Sequence, residues 1–387
     1  MPVINRIAEF ADEMSAWRHY LHQHPELSFD CHKTAKFVAE RLRTFGVDEV
    51  HEGIAISGVV ALVSGQGDGP TIGLRADMDA LPLSEISGAE WASKIPGKMH
   101  ACGHDGHTTM LLGAARYLAE TRNFRGRVAL IFQPAEEFGG GGEAMVSEGI
   151  MERFNISQVY ALHNAPGFDV GTIHTNTGPI MAAVDEFTVT FSGVGGHAAY
   201  PNNTVDPIIA VTAFADGCQT IISRNCPPTS PLVVSVTRID AGGTALNIIP
   251  QTALVGGTVR SFDPELREMC EVRIRELVEG LNLAFGVTAK VHYDRGYPPT
   301  VNHPEQTAFA AKVAKEIVGS ERVDLSFPAE MGAEDFSYML EARPGAYLFL
   351  GQGDTPMCHH PAYDFNDDIA PIGASFFARL VERAQPV

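Results

Sequence analysis

Three histidines and a cysteine fall within eight residues in Met99-His100-Ala101-Cys102-Gly103-His104-Asp105-Gly106-His107. Imidazole nitrogen and thiolate sulfur are the donors that Zn²⁺ and related ions prefer, and two glycines let such a segment fold back around a point. Four structural donors packed so closely would each need an account of their own, so the segment reads as a metal site. A second constellation is Gln133-Pro134-Ala135-Glu136-Glu137-Phe138, followed by Gly139 to Gly142. Adjacent carboxylates leaving a strand end are expected to point in different directions, one toward a metal, the other left to act as a general base. The competing reading is a solvated pair capping the next helix. The glycines match neither a phosphate loop with its Lys-Ser/Thr nor a dinucleotide fingerprint.

Three smaller groups complete the set. Ala161-Leu162-His163-Asn164 puts a histidine at a strand end, and Met357-Cys358-His359-His360-Pro361 puts two more near the C-terminus. In Gly193-Val194-Gly195-Gly196-His197-Ala198-Ala199 a histidine rides on a glycine-rich turn, and Asn247 and Arg260 flank a strand further on. Taken singly, each of these is as readily a turn or surface residue as a functional one.

These residues must be positioned by secondary structure. Residues 5 to 45 carry apolar positions at helical spacing, broken at His24-Pro25 and ended at Gly46, which predicts two opening helices. Short β-branched or apolar runs at Gly58 to Val63, Thr71 to Arg75, Arg127 to Gln133 and Gln158 to Asn164 surround a helical stretch at His107 to Glu120. Alternating strands and helices predict an α/β domain with a mostly parallel sheet flanked by helices, whose chemistry gathers at the carboxyl ends of the strands. From Val184 the pattern changes to β-α-β-β-α-β, with strands at 184–193, 231–240, 245–261 and 288–293 and helices at 206–223 and 263–283. That order is a split βαβ, ferredoxin-like α+β unit. After Gly296-Tyr297-Pro298-Pro299 the α/β pattern resumes, so residues 1–182 and 296–387 form a catalytic domain with residues 183–295 inserted.

With 387 residues, 45% of them hydrophobic, the chain is long enough for two cores. Lys plus Arg number 28 against 47 Asp plus Glu, a net charge of −19, which argues against a nucleic-acid partner. The same field slows an anionic substrate unless the site carries its own positive charge. No apolar run approaches membrane-span length and no signal segment is evident, so a cytoplasmic protein is expected. Six cysteines are too sparse and irregular for a disulfide framework.

The segments HQHPELSFD, LRADMDALP, MHACGHDGHTTMLLGAA, FQPAEEFGGG, LHN, GVGGHAAYP, ALNIIP, GGTVR, MGAEDFSYM and HHPAYDFND occur in this order along nearly the whole chain. In this the chain resembles bacterial N-acyl-amino-acid amidohydrolases. That family includes hippurate hydrolases, and auxin-conjugate hydrolases and metallo-carboxypeptidases are relatives. The resemblance implies a metal-dependent amidohydrolase that cleaves N-acyl-L-amino acids to a carboxylic acid and a free amino acid. It implies two divalent ions (Zn²⁺, Mn²⁺ or Co²⁺) held by Cys102, His104, Glu137, His163 and His359, with Glu136 as general base. His197, Asn247 and Arg260 resemble the residues that close on the substrate from the inserted lid and dimerisation domain. His197 would polarise the developing oxyanion, in dimeric relatives from the partner subunit, and Arg260 would pair with the substrate carboxylate. A homodimer or higher homo-oligomer is expected, without nucleic-acid or membrane partners.

The sequence departs from that pattern at three places. Asp77 stands where relatives carry a metal histidine, leaving Asp79 a role in orienting a ligand. His360 fills the variable position of the His-x-Pro pattern, so His359 is preferred as the ligand. Cys31 replaces an acid common in relatives and has no assigned role. Two alternatives stay open: a dipeptidase or carboxypeptidase built on the same centre, and a metal-bearing binding protein without catalysis.

Overall fold

The structure is a computed structural model and describes residues 3–387. Two compact units emerge: one runs to Ile180 and resumes over Thr300–Ala329 and Asp335–Val387, and the other comprises Met181–Pro299 with Glu330–Glu334. The last segment joins the second unit because the Ala182 amide donates to the carbonyls of Glu330 and Gly332, at 3.1 and 2.8 Å.

The first unit is built on an eight-stranded sheet. Its centre is four neighbouring parallel strands in the order Arg127–Gln133, Thr71–Asp77, Ile156–Pro166 and Gly345–Gly353. An antiparallel hairpin, Glu49–Ile54 with Gly58–Ser64, extends one side, and the short strands Ile173–His174 and Val323–Asp324 extend the other. The central strands are buried on both faces because helices cover both: every residue of Thr71–Asp77 is buried. The parallel register pairs Asp77 with Gln133 and His163 with Phe349, so the carboxyl ends of these strands finish at one level.

The opening helices are Ala11–Gln23 and His32–Phe45, the latter ended by Gly46 at φ +76°. The central helix starts earlier than its apolar spacing predicts, at His104, and runs to Thr121. Gly103 before it lies at φ +101°, and a Cβ there would sit 2.2 Å from Asn164 Oδ1 and 2.6 Å from Tyr363 Oη. Gly106 serves packing, since a Cβ on it would fall 2.2 Å from the Phe365 ring. His104 and His107 therefore sit one turn apart on one helix face.

The second unit is a four-stranded, wholly antiparallel sheet in the order Leu232–Ala241, Thr252–Ser261, Ala183–Ser192, Thr288–Arg295. Helices Pro207–Thr220 and Pro264–Phe285 pack on it, each opened by an aspartate whose side chain accepts from the first turn. Phe187, Val189, Phe191, Val211, Phe214, Val255 and Ile274 form its core. The third strand begins at Thr252 and not at Ala245, because Pro250 has no N–H for the ladder. Ahead of it, Ile248–Ile249 pairs instead with Gly196–His197. Among the described residues, no helix is long and apolar enough to cross a membrane.

Candidate metal centre

Six of the predicted residues meet at the carboxyl ends of the parallel strands in the first unit. Ligand atoms of Cys102, His104 and His163 lie within 4.8 Å of one another, as do those of Cys102, Glu137 and His359, and those of His104, Glu136 and Glu137. Cys102 Sγ is 3.5 Å from His163 Nε2, and His359 Nε2 is 3.4 Å from Glu137 Oε2. His360 turns elsewhere, its Nδ1 accepting from the Ala362 amide at 3.0 Å.

The two glutamates do not diverge as strand alternation predicts. Glu136 Oε2 and Glu137 Oε1 both lie 3.9 Å from His104 Nε2. The reason is local: the strand ends at Gln133, Ala135 takes φ +56°, and a turn carries both side chains to the same side. Asp79 holds that turn, since its two carboxylate oxygens accept from the amides of Glu136 and Glu137 at 3.0 and 3.2 Å. Its carbonyl also takes the Nδ1 proton of His104 at 2.9 Å, which points Nε2 into the cluster.

Asp77 and His107 also enter the site, although the ligand set that the resemblance implies contains neither. Asp77 Oδ1 binds His107 Nδ1 at 2.6 Å, and Oδ2 binds Arg75 at 2.6 Å and lies 3.8 Å from His104 Nε2. His107 Nε2 meets Asn164 Oδ1 at 2.7 Å. The signal was present in the sequence: His104 and His107 stand at helical spacing i, i+3, which would have shown both rings on one face had the helix start been placed correctly.

The electrostatics describe a cation site. Burial opposes charge on His104, yet Asp77, Asp79 and Glu137 raise its pKa to about 10. Burial likewise works against charge on Glu137, and the hydrogen bond from His359 with the field of His104 outweighs it, holding the carboxyl below its usual range. His163 is kept neutral by burial and by its neighbour His107, which preserves a lone pair on Nε2. His104 Nε2 and Glu137 Oε1 are buried without hydrogen-bond partners among the described residues. Buried polar atoms left unpaired are costly, and a divalent ion bound by thiolate, imidazole and carboxylate would satisfy both, so the residues present fit such a group.

Behind the centre, His22 is fully buried between Asp105, at 2.8 Å, and Glu85, at 3.3 Å. Burial opposes its charge, but Asp105 and Glu85 raise its pKa to about 9. A raised folded pKa stabilises fully below the unfolded value near 6.5 and loses that contribution as pH climbs through 9. The expected result is a fall of about 3 kcal/mol in unfolding free energy between pH 6.5 and 10 that is absent in His22→Gln, read by urea titration at each pH. Equal pH profiles for both proteins would exclude this origin.

The remaining predicted residues belong to the second unit. His197 is exposed, its Nδ1 accepting from the Ala199 amide at 3.1 Å, and exposed Asn247 is tied to the same ribbon by its carbonyl, which accepts from the Ala198 amide at 2.9 Å. Arg260 lies within Thr252–Ser261, paired with Val184 and Val233. Its side chain is partly buried and, among the described residues, has no hydrogen-bonded carboxylate.

Known proteins resemble this chain along nearly its whole length. The chain is 40% identical over 380 residues to a hippurate hydrolase of Campylobacter jejuni, covering 98% of each. It is 41% identical over 362 residues to an N-acetyl-L-cysteine deacetylase of Bacillus subtilis, covering 93% of this chain and 85% of that one. The solved structure of a dinuclear metal-binding peptidase from Bacillus subtilis superposes with a TM-score of 0.84 at 33% identity, covering 97% and 98%. With residues 73–383 matching the profile of peptidase family M20/M25/M40, the chain belongs to that family and is a hydrolase of amide bonds.

Proposed function

We propose that the chain hydrolyses the amide bond of N-acyl-L-amino acids, releasing a carboxylic acid and a free amino acid. The observation that carries this is the carboxylate of Glu136 set 3.9 Å from His104 Nε2, beside overlapping clusters of thiolate, imidazole and carboxylate donors. Cys102, His104, Glu137, His163 and His359 would hold two divalent ions, Zn²⁺, Mn²⁺ or Co²⁺. Such ions polarise a carbonyl and acidify water, which makes amide hydrolysis feasible at neutral pH. Glu136 takes the proton of the attacking water and delivers it to the departing nitrogen. Asp79 fixes both glutamates and the His104 tautomer while this proton moves.

In the second unit, Arg260 carries a guanidinium whose charge, opposed by burial, is still suited to pair bidentately with an α-carboxylate. That local charge answers the net −19 of the chain. His197 would donate to the developing oxyanion, and Asn247 would position the substrate beside it. The inserted unit would also join two copies in a homodimer. All six cysteines are free, as suits a cytoplasmic enzyme.

The test is release of free amino acid from acetyl-, benzoyl- and indoleacetyl-amino acids, their α-carboxamides and dipeptides, before and after chelation and re-addition of Mn²⁺, Zn²⁺ or Co²⁺. The N-acyl set should be cleaved, chelation should lower the rate by about 10³-fold or more, and the carboxamides should be poor substrates through KM. Cleavage of dipeptides alone would replace this reading with a peptidase. Absence of any cleavage with metal bound would make the chain a binding protein.

A further inference from the structure

We propose that Cys358 is an oxidation site, closing a reversible disulfide with Cys102 whenever the centre lacks its cation. The inference rests on the reading of Cys102 as a metal ligand and adds a residue outside the donor set. Cys358 immediately precedes His359, whose amide donates to the Ala101 carbonyl at 2.7 Å and so lays this segment along Ala101–Cys102. Cys358 Sγ donates to the Cys102 carbonyl oxygen at 3.6 Å and lies 3.8 Å from Asn164 Nδ2, so its sulfur sits against the backbone of Cys102 itself. Among the described residues, Cys102 belongs to two of the close donor clusters and Cys358 to none.

One sulfur cannot serve both partners. As a thiolate, Cys102 binds a cation, whereas in a disulfide it has lost that charge and with it the ligand. Bound metal therefore protects the pair, and oxidation of the metal-free protein blocks reloading. Cys358 is only partly buried while Cys102 is buried, so a small peroxide meets Cys358 first. Its sulfur takes one peroxide oxygen, the O–O bond breaks, and water departs to leave a sulfenic acid. Cys102 then attacks that sulfur, the S–S bond forms, and a second water leaves. In sum, two thiols and one hydrogen peroxide give one disulfide and two waters, and a dithiol reductant reverses the oxidation.

The experiment treats full-length protein, metal-stripped or Zn²⁺-loaded, with hydrogen peroxide. Remaining thiols are blocked, disulfide-linked peptides are mapped by mass spectrometry, and Zn²⁺ uptake is measured before and after dithiothreitol. A Cys102–Cys358 cross-link should form in stripped protein and be at least about 10-fold scarcer in loaded protein, since the ligand sulfur is then occupied. Zn²⁺ uptake should be lost on oxidation and return with the reductant, and Cys358→Ser should keep its uptake through the same treatment. Separate oxidation of the two cysteines without a cross-link, or equal cross-linking with Zn²⁺ bound, would overturn the proposal, and both are read on the unmutated protein. A full Zn²⁺ complement in Cys102→Ser would overturn the ligand reading instead, whatever the cross-link shows.

Discussion

Glu136→Ala loses about 10³-fold in kcat while its metal content stays at the wild-type level. The separation of these two readouts follows from where the side chains come from. Cys102 lies in the loop that leads into a helix and His104 opens that helix, His163 lies on a central strand and His359 on a C-terminal loop, so removing one carboxylate from the turn after Gln133 leaves donors on independent elements. What disappears is the group that accepts a proton from water and returns it to nitrogen, a role neutral Gln cannot fill either. Glu136→Gln should therefore match Glu136→Ala in rate, and the limb of the pH–rate profile set by this base should vanish in both. Metal content by atomic emission and kcat on the best N-acyl substrate decide the matter. Loss of metal from either variant would make Glu136 a ligand, consistent with its cluster with His104 and Glu137, and retention of substantial turnover would remove it as the base.

How far the sequence reaches can be traced through this same corner of the fold. The parallel core was legible because Ile72–Leu74 and Val128–Phe132 are short runs without a polar side chain, the mark of strands covered on both faces. The inserted antiparallel sheet was legible from alternation in Val184 to Ser192 and from the Asp-Pro openings of its helices. The direction of Glu136 and Glu137 was not, since it depends on Ala135 adopting a positive φ under hydrogen bonds from a loop nearly sixty residues earlier. Likewise the start of the central helix hides in Gly103, where a side chain is excluded by Asn164 and Tyr363 from distant parts of the chain. Asp77 could be placed only in part from its own strand: Arg75, two residues earlier, shares its face, but His107 meets it only once strand and helix are packed.

Arg75→Met costs about 3 to 5 kcal/mol of stability, the amount that goes with stranding buried carboxylates. Arg75 is 2% exposed, and its guanidinium donates to Gln133 Oε1 at 2.9 Å, Asp77 Oδ2 at 2.6 Å and Asp335 Oδ1 at 3.0 Å. Asp335 in turn accepts from Gln133 Nε2 at 2.7 Å and the Gly142 amide at 2.7 Å, tying the helix that follows it to the end of the central sheet. Asp77 is held well below the usual carboxylate range against its burial, first by Arg75 and then by His104 and His107. Methionine fills similar volume but leaves two buried acids without their cation, and lysine keeps the charge without the planar fork that reaches three acceptors. Arg75→Lys should accordingly recover only part of the loss. The double variant Arg75→Met with Asp77→Asn should cost less than the two single costs summed, since neutral Asn no longer needs the guanidinium. Urea unfolding of the wild type, the three single variants and the double variant, with metal stripped so that binding does not contribute, reads these differences directly. A cost below about 1 kcal/mol for Arg75→Met, or simple additivity in the cycle, would show that the Asp77 charge is balanced by His104 and His107 alone.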